Sequence, residues 1–273
     1  MIWLHKREEK TQEAPKPPTT THQSRTKRWR PVQKPTEASA PSSSSSSSTT
    51  TTQQFETAAT ATARPPRPVP RAGVLVLRNF INLVAPGVTQ EQFGLTPDKQ
   101  YYDSKTGTVK KKRARYNLCF EAGDGRPANM EAGQGTVVGF NQVPHTHKVQ
   151  KFIVALLAAA GVPKEVVSAS TLRVETNVYT DPSRNGIGFH GDTERRVVVG
   201  VRLGLSKEAR MPIVFRWYQG REVMKEYEDR VIDLGPGDVY FMSEKAAGSD
   251  WKNPTIPTLR HAAGAPKYTQ GGR

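Results

Sequence analysis

From about residue 170 onward, apolar and polar residues alternate in short runs. These are TLRVETNVY (171–179), GIGFHGD (186–192), RRVVVGVRLG (195–204), MPIVFRWY (211–218), RVIDL (230–234), DVYFMS (238–243) and TLRHAAG (258–264). They are rich in β-branched and aromatic residues and separated by turn formers such as LGPGD (234–238), so they predict strands. VLVLRNFI (74–81) predicts another. DSKTG (103–107) is a turn signal between two extended arms, so 101–120 reads as a β-hairpin. VQKFIVALLAAAGV (149–162) changes period. It places Phe152, Leu156 and Ala159 on one helical face, with Ile153, Leu157 and Ala160 beside it, and ends at Gly161 and Pro163. Residues 121–147 are Gly-rich and irregular. A helix followed by about seven short strands describes an α+β protein with a two-sheet jelly-roll core and a flanking helix.

Residues 1–72 follow neither period. They contain Pro and Thr clusters, the run Ser42–Ser48, then Thr49–Thr52, then RPPRPVPR (64–71). With few large apolar side chains, this stretch cannot bury enough surface to offset the entropy of ordering. The chain thus divides into a disordered, basic, Ser/Thr/Pro-rich tail (1–72) and a folded domain (73–273). Only 35% of all residues are hydrophobic, which fits a chain that folds in part.

Charge adds an expectation about partners. Lys and Arg outnumber Asp and Glu by 40 to 25, a net charge of +15. The tail holds twelve basic and five acidic residues, so the excess is not confined to it. Such a field attracts polyanions, nucleic acid being the commonest, although basic chains are also often simply soluble. Two clusters stand out. Arg25, Lys27, Arg28 and Arg30 surround Trp29 and suit phosphates, a nuclear address or merely a solvated tail. On the hairpin, Lys110, Lys111, Lys112, Arg113 and Arg115 accompany Tyr101, Tyr102 and Tyr116. Cations for phosphates and rings for bases make a nucleic-acid lid, and a lysine-protected edge strand has the same composition. A single cysteine, Cys119, excludes an intramolecular disulfide framework and a multi-cysteine zinc module. No run approaches the ~20 apolar residues that cross a bilayer, and MIWLHKREEK places charges where a signal peptide is apolar. The expected location is intracellular, nuclear or cytoplasmic, with no secretion and no membrane.

The chemistry lies on the predicted strands. His190 and Asp192 stand at i and i+2, so they project from the same side of a strand. His261 lies on the last predicted strand. Two histidines and one carboxylate form the facial triad of non-haem Fe(II) sites, which leaves positions open for a co-substrate and oxygen. A double-stranded β-helix over about 170–265 would bring the three together. His145 and His147 form a second i, i+2 pair but lack an acidic third ligand, and they read as loop or helix-start residues. Phe215, Trp217 and Phe241 read as core, and Asp238 as a turn former.

These residues carry a family resemblance. NVYTDPSRNGIGFHGD (177–192) resembles the Asn-x-Tyr … His-x-Asp signature of AlkB-like 2-oxoglutarate/Fe(II)-dependent dioxygenases. LGPGDVYFMSEKAAG with TLRHAAG (234–264) resembles that family's Gly-Asp strand, Met-Ser turn and distal histidine. The likeness covers about 171–264. It implies Fe(II) on His190, Asp192 and His261, with 2-oxoglutarate as co-substrate and O2 as oxidant. It also implies oxidative dealkylation of alkylated nucleic-acid bases, with release of succinate and formaldehyde. Asn177 and Tyr179 would then hydrogen-bond the co-substrate, where otherwise they are a strand Asn and a core Tyr.

The family normally follows its distal histidine with an arginine-bearing strand for the far carboxylate of the co-substrate, and only twelve residues follow His261 here. A buried carboxylate still needs a cation. Arg202 shares the parity of His190 and Asp192 and is the candidate, with Lys267 and Arg273 as alternatives. Arg260, next to a ligand on a strand, should point away. Two other functions remain open: a protein side-chain hydroxylase on the same barrel, and an inactive barrel serving as a nucleic-acid-binding module.

Overall fold

The computed structural model describes Ile2–His5 and residues 68–271. Over those residues the protein is a mixed α+β structure in which strands predominate and helices are few. The largest sheet runs, in spatial order, β2 (Val74–Leu77), β14 (Val239–Met242), β10 (Val198–Gly204), β1 (Ile2–His5), β8 (Val174–Tyr179), β5 (Tyr116–Glu121), β7 (Val137–Gly139) and β6 (Gly125–Arg126). A second sheet runs β12 (Glu222–Val223), β11 (Met211–Gln219), β15 (Pro257–Gly264) and β9 (Gly186–His190), with β13 (Arg230–Leu234) also paired to β11. A separate hairpin joins β3 (Gln100–Asp103) and β4 (Thr108–Lys111). Pairing is antiparallel apart from β1, which lies parallel between β8 and β10, and β5 with β7. The helices are α1 (Phe80–Val84), α2 (Val88–Gly94), α3 (Pro144–Ala159), α4 (Glu244–Ala247) and α5 (Pro266–Thr269).

Strand parity sorts the side chains into two cores. On β10, Val199, Val201 and Leu203 pack with Val149, Ile153 and Leu157 of α3. The intervening Val198 packs instead with Ile213, Phe215 and Leu259 of the second sheet. Gly200 and Arg202 share its parity. Gly200 is required there: a Cβ would stand 2.0 Å from the Tyr240 ring, which lies across that position. Each fully buried Val or Leu contributes about 1.5–3 kcal/mol over its exposed state, so the register of β10 is strongly fixed.

The strands predicted at 171–179, 186–192 and 195–204 are shortened to Val174–Tyr179, Gly186–His190 and Val198–Gly204, and three other elements depart further. The run 74–81 is not one strand. β2 stops at Leu77, Asn79 adopts a left-handed conformation (φ 52°), and Phe80 starts α1. The Asp238 carboxylate holds that turn, accepting from Asn79 N at 2.9 Å, Gly235 N at 2.9 Å and Arg78 Nη1 at 2.7 Å. It is a turn former that also ties down a second turn. The helix predicted at 149–162 begins at Pro144, so His145 and His147 lie in its first turn. Glu91 of α2 supplies the missing cap, accepting from His145 N at 2.8 Å and Thr146 N at 2.7 Å. Its buried face is Thr146, Val149, Gln150, Ile153 and Leu157, the neighbour of the face headed by Phe152.

The hairpin is also shorter than 101–120. It ends at Lys111, and Tyr116 starts a strand of the large sheet opposite Val178. Arg115 therefore does not belong to the hairpin. The Gly-rich stretch 121–147 contributes β6, β7 and the start of α3. Within the expected tail, Ile2–His5 form β1 and residues 68–72 carry no regular element; the rest of it, including Arg25, Lys27, Arg28, Arg30 and the serine run, lies outside the described residues.

Candidate metal centre

β9 and β15 are adjacent, and their register places His190 directly opposite His261. The two rings stand 4.5 Å apart between centroids. β9 ends at His190, and Asp192 follows in a short loop whose backbone is fixed by Asp192 N donating to Ala247 O at 2.8 Å. His190 Nε2 is 4.0 Å from Asp192 Oδ1, and His261 Nε2 is 3.9 Å from Asp192 Oδ2. One ligand atom from each residue falls within 4.8 Å of the others. An ion sits ~2.1 Å from such donors, so its binding would draw the three together by roughly 1 Å.

The protonation states suit metal binding. His190 Nδ1 lies 2.8 Å from Gly188 O. A carbonyl only accepts, so Nδ1 carries the proton and Nε2 keeps a free lone pair toward Asp192. Burial lowers the pKa of His190. His261 is buried beside Phe215, whose ring is 6.1 Å away, and its pKa falls to about 4. Desolvation is the main cause and the charge of His190 adds to it; Asp192 opposes both. Both imidazoles are therefore neutral near pH 7, the form that ligates a metal.

A cavity of about 130 Å³ opens beside the triad, walled by Asn177, Tyr179, Tyr240 and Met242 among others. Asn177 is buried on β8, and its Oδ1 accepts from Arg115 Nε at 2.8 Å. Tyr179 is completely buried, and burial pushes its hydroxyl pKa upward. Arg202 is only 1% exposed, yet none of its three guanidinium nitrogens has a hydrogen-bond partner among the described residues. Burial depresses its pKa to about 10. Tyr179 and Tyr240, both cavity walls, are the first groups to act on its charge in the opposite direction. An unpaired buried cation is costly, and an anion placed beside it would offset that cost.

The other predicted cations are elsewhere. Lys267 is exposed on α5, with its ammonium 4.9 Å from the Tyr268 ring, and Arg273 lies outside the described residues. Arg260 points outward as expected, 4.2 Å over the Tyr218 ring. The basic string 110–115 is dispersed. Lys110 is paired with Asp103 at 2.5 Å, Lys112 bonds Asn117 and has a pKa lowered by burial, and Arg115 lines the triad cavity. Lys111 and Arg113 remain exposed.

Glu175 and Arg195 also wall the site beside Arg115, and no sequence motif marks these two. Arg195 stands 3.6 Å from Glu175 and 3.7 Å from Asp192. Strand parity was the available signal for Glu175, which shares the face of Asn177 and Tyr179. Glu175 and Arg195 also border a larger cleft of about 1210 Å³ that reaches Tyr101 and Tyr102 of the hairpin. Five cations and five carboxylates line this cleft, so it carries no concentrated positive charge.

No family model matches the chain. It is similar to an uncharacterized protein of Acanthamoeba polyphaga mimivirus, with 40% identity over 172 residues. That alignment covers 62% of this chain and 61% of the viral protein, so the chain spans about three fifths of its relative's length.

Proposed function

We propose that the chain is a 2-oxoglutarate- and Fe(II)-dependent dioxygenase of the AlkB-like kind, with a jelly-roll core. Its proposed reaction is the oxidative dealkylation of alkylated nucleic-acid bases. The observation that carries this reading is the pairing of a two-histidine, one-carboxylate cluster with a buried, unpartnered arginine whose charge is felt by Tyr179 and Tyr240, two walls of the triad cavity. A metal alone would need the first, and a metal with an anionic co-substrate would need both. Two sheets enclosing a core between β10 and β14 on one side and β11, β13 and β15 on the other support the jelly-roll part.

The donor set fits the ion. Two neutral imidazoles and a carboxylate on one side suit Fe(II) and leave the cavity side open. Fe(II) and 2-oxoglutarate, when bound, would supply the power to activate O2 against a C–H bond. His190, Asp192 and His261 would hold the ion. Arg202 would neutralise the far carboxylate of the co-substrate, and Asn177 and Tyr179 would orient it by hydrogen bonds. Overall, 2-oxoglutarate loses CO2 and two electrons to become succinate, and the N-alkyl carbon loses two. The four electrons reduce O2, one oxygen atom entering succinate and the other the alkyl carbon, which leaves as an aldehyde.

The AlkB-like signature and the net charge of +15 favour a nucleic-acid substrate. The balanced charge of the large cleft favours a second reading, a protein side-chain hydroxylase. The test supplies Fe(II) and 2-oxoglutarate and measures succinate with pools of methylated oligonucleotides or of peptides. Stimulation by methylated oligonucleotides is expected. Stimulation by peptides alone would replace the substrate assignment. Turnover no higher than that of His190→Ala under every condition would end the enzyme reading.

A further inference from the structure

The geometry points to Trp251 as the positioning residue of the metal loop, through a clamp formed by residues 247–251. The loop is His190–Gly191–Asp192–Thr193, and each residue after His190 meets this one segment. Gly191 lies against it so closely that a Cβ there would stand 2.2 Å from Gly248 O and 2.7 Å from the Trp251 side chain. Asp192 N donates to Ala247 O at 2.8 Å. Thr193 Oγ1 accepts from Trp251 Nε1 at 2.9 Å.

The clamp is itself anchored. Ser243 Oγ caps α4 by accepting from Ala246 N at 3.3 Å. Lys245 Nζ donates to Asp250 Oδ2 at 2.5 Å and to Pro257 O at 2.7 Å, tying the segment to the start of β15. The Arg260 guanidinium lies 5.4 Å from the centre of the Trp251 ring and donates to Trp251 O at 3.3 Å. Arg260 precedes His261 on β15, so one strand carries a ligand on its inner face and braces the clamp from its outer face. The indole presses on the loop between two ligands and bonds the next residue. Trp251 therefore sets where the Asp192 carboxylate stands relative to the two imidazoles. Outer partners of this type set ligand geometry, and their loss typically costs about 10–100-fold in metal affinity or activity.

This inference rests on the metal reading above, and its test uses Mn(II) alone, with no turnover. The dissociation constant is measured for the full chain and for Trp251→Ala, Trp251→Phe and Thr193→Val. Trp251→Ala is expected to weaken Mn(II) by about tenfold or more. Trp251→Phe keeps a ring on Gly191 and Thr193→Val removes only the acceptor, so each should weaken it about threefold, on the order of one lost hydrogen bond. Phe152→Ala, which removes the ring 5.4 Å from Phe80, is the control for general destabilisation. It should lower Tm and leave Mn(II) affinity unchanged. The Co(II) absorption spectrum should also differ between Trp251→Ala and wild type, since a displaced Asp192 alters the ligand field. If Trp251→Ala does not fold, the Phe and Val variants decide. Mn(II) binding to wild type with all variants within twofold of it would overturn the clamp. No Mn(II) binding to wild type would instead remove the metal reading on which it rests.

Discussion

The faces that the two sheets turn toward and away from their shared core treat arginine in opposite ways. On the outer face, Arg216 grips Asp229 with two hydrogen bonds, at 2.8 and 2.6 Å, and stacks 4.2 Å from the Phe189 ring. Arg260, opposite it in register, is stacked on Tyr218 and bonded to two backbone carbonyls. On the inner face, Arg202 is more deeply buried than either and has no hydrogen-bond partner for its guanidinium among the described residues. Folding explains the outer pair: Asp229 answers the charge of Arg216, and two carbonyls and the Tyr218 ring hold Arg260. Folding alone does not explain Arg202, which would be replaced by an apolar residue without loss if stability were all that mattered.

The contrast breaks first at Arg202. Arg202→Met should raise the 2-oxoglutarate requirement by at least about 30-fold, the worth of one to two hydrogen bonds to a charge. It should leave Mn(II) affinity unchanged and the Tm of the ligand-free protein unchanged or higher. A fall in Tm with unchanged 2-oxoglutarate dependence would make Arg202 structural. Arg216→Ala should do the reverse, costing about 1.5–3 kcal/mol in denaturant unfolding and sparing the co-substrate requirement.

A smaller effect concerns pH. The His261 pKa falls from an ordinary 6.5 to about 4 on folding. Below about pH 6.5 the unfolded chain takes a proton that the folded chain refuses until about pH 4, so stability is lost as pH falls through that window. Urea midpoints of the metal-free protein should show the loss, and His261→Asn should reduce it. An unchanged slope in the variant would place the effect on another group. The smallest effect belongs to the hairpin. Lys111→Ala should lower the salt slope of oligonucleotide binding by about 1. Unchanged affinity and slope would remove that residue from the interface.

The inner face was more legible in the sequence than the surface around it, and the reason is range. His190 on β9 and Arg202 on the unbroken β10 follow from a two-residue period that needs no distant information, whereas Asp192 lies past the end of β9 in a loop held by Ala247 O. The seven strands from 171 to 264 were readable for the same reason. The cap of α3 comes from Glu91, 54 residues before His145, so its true start has no local mark. Adjacency alone groups Arg115 with the hairpin. The pairing of β5 with β8 sets Asn117 opposite Asn177, and Arg115 reaches the Asn177 side chain. β1 was hidden by length, because four residues at the head of a Pro- and Thr-rich stretch make no periodic signal.

The central claim is that His190, Asp192, His261 and Arg202 serve one site with two occupants. Its most direct test is a calorimetric titration of the full chain with Mn(II), then with 2-oxoglutarate. Wild type should take one equivalent of Mn(II) and then one of 2-oxoglutarate. His190→Ala should lose both steps, and Arg202→Met only the second. Loss of neither step in these variants, or 2-oxoglutarate uptake by Arg202→Met as tight as by wild type, would contradict it.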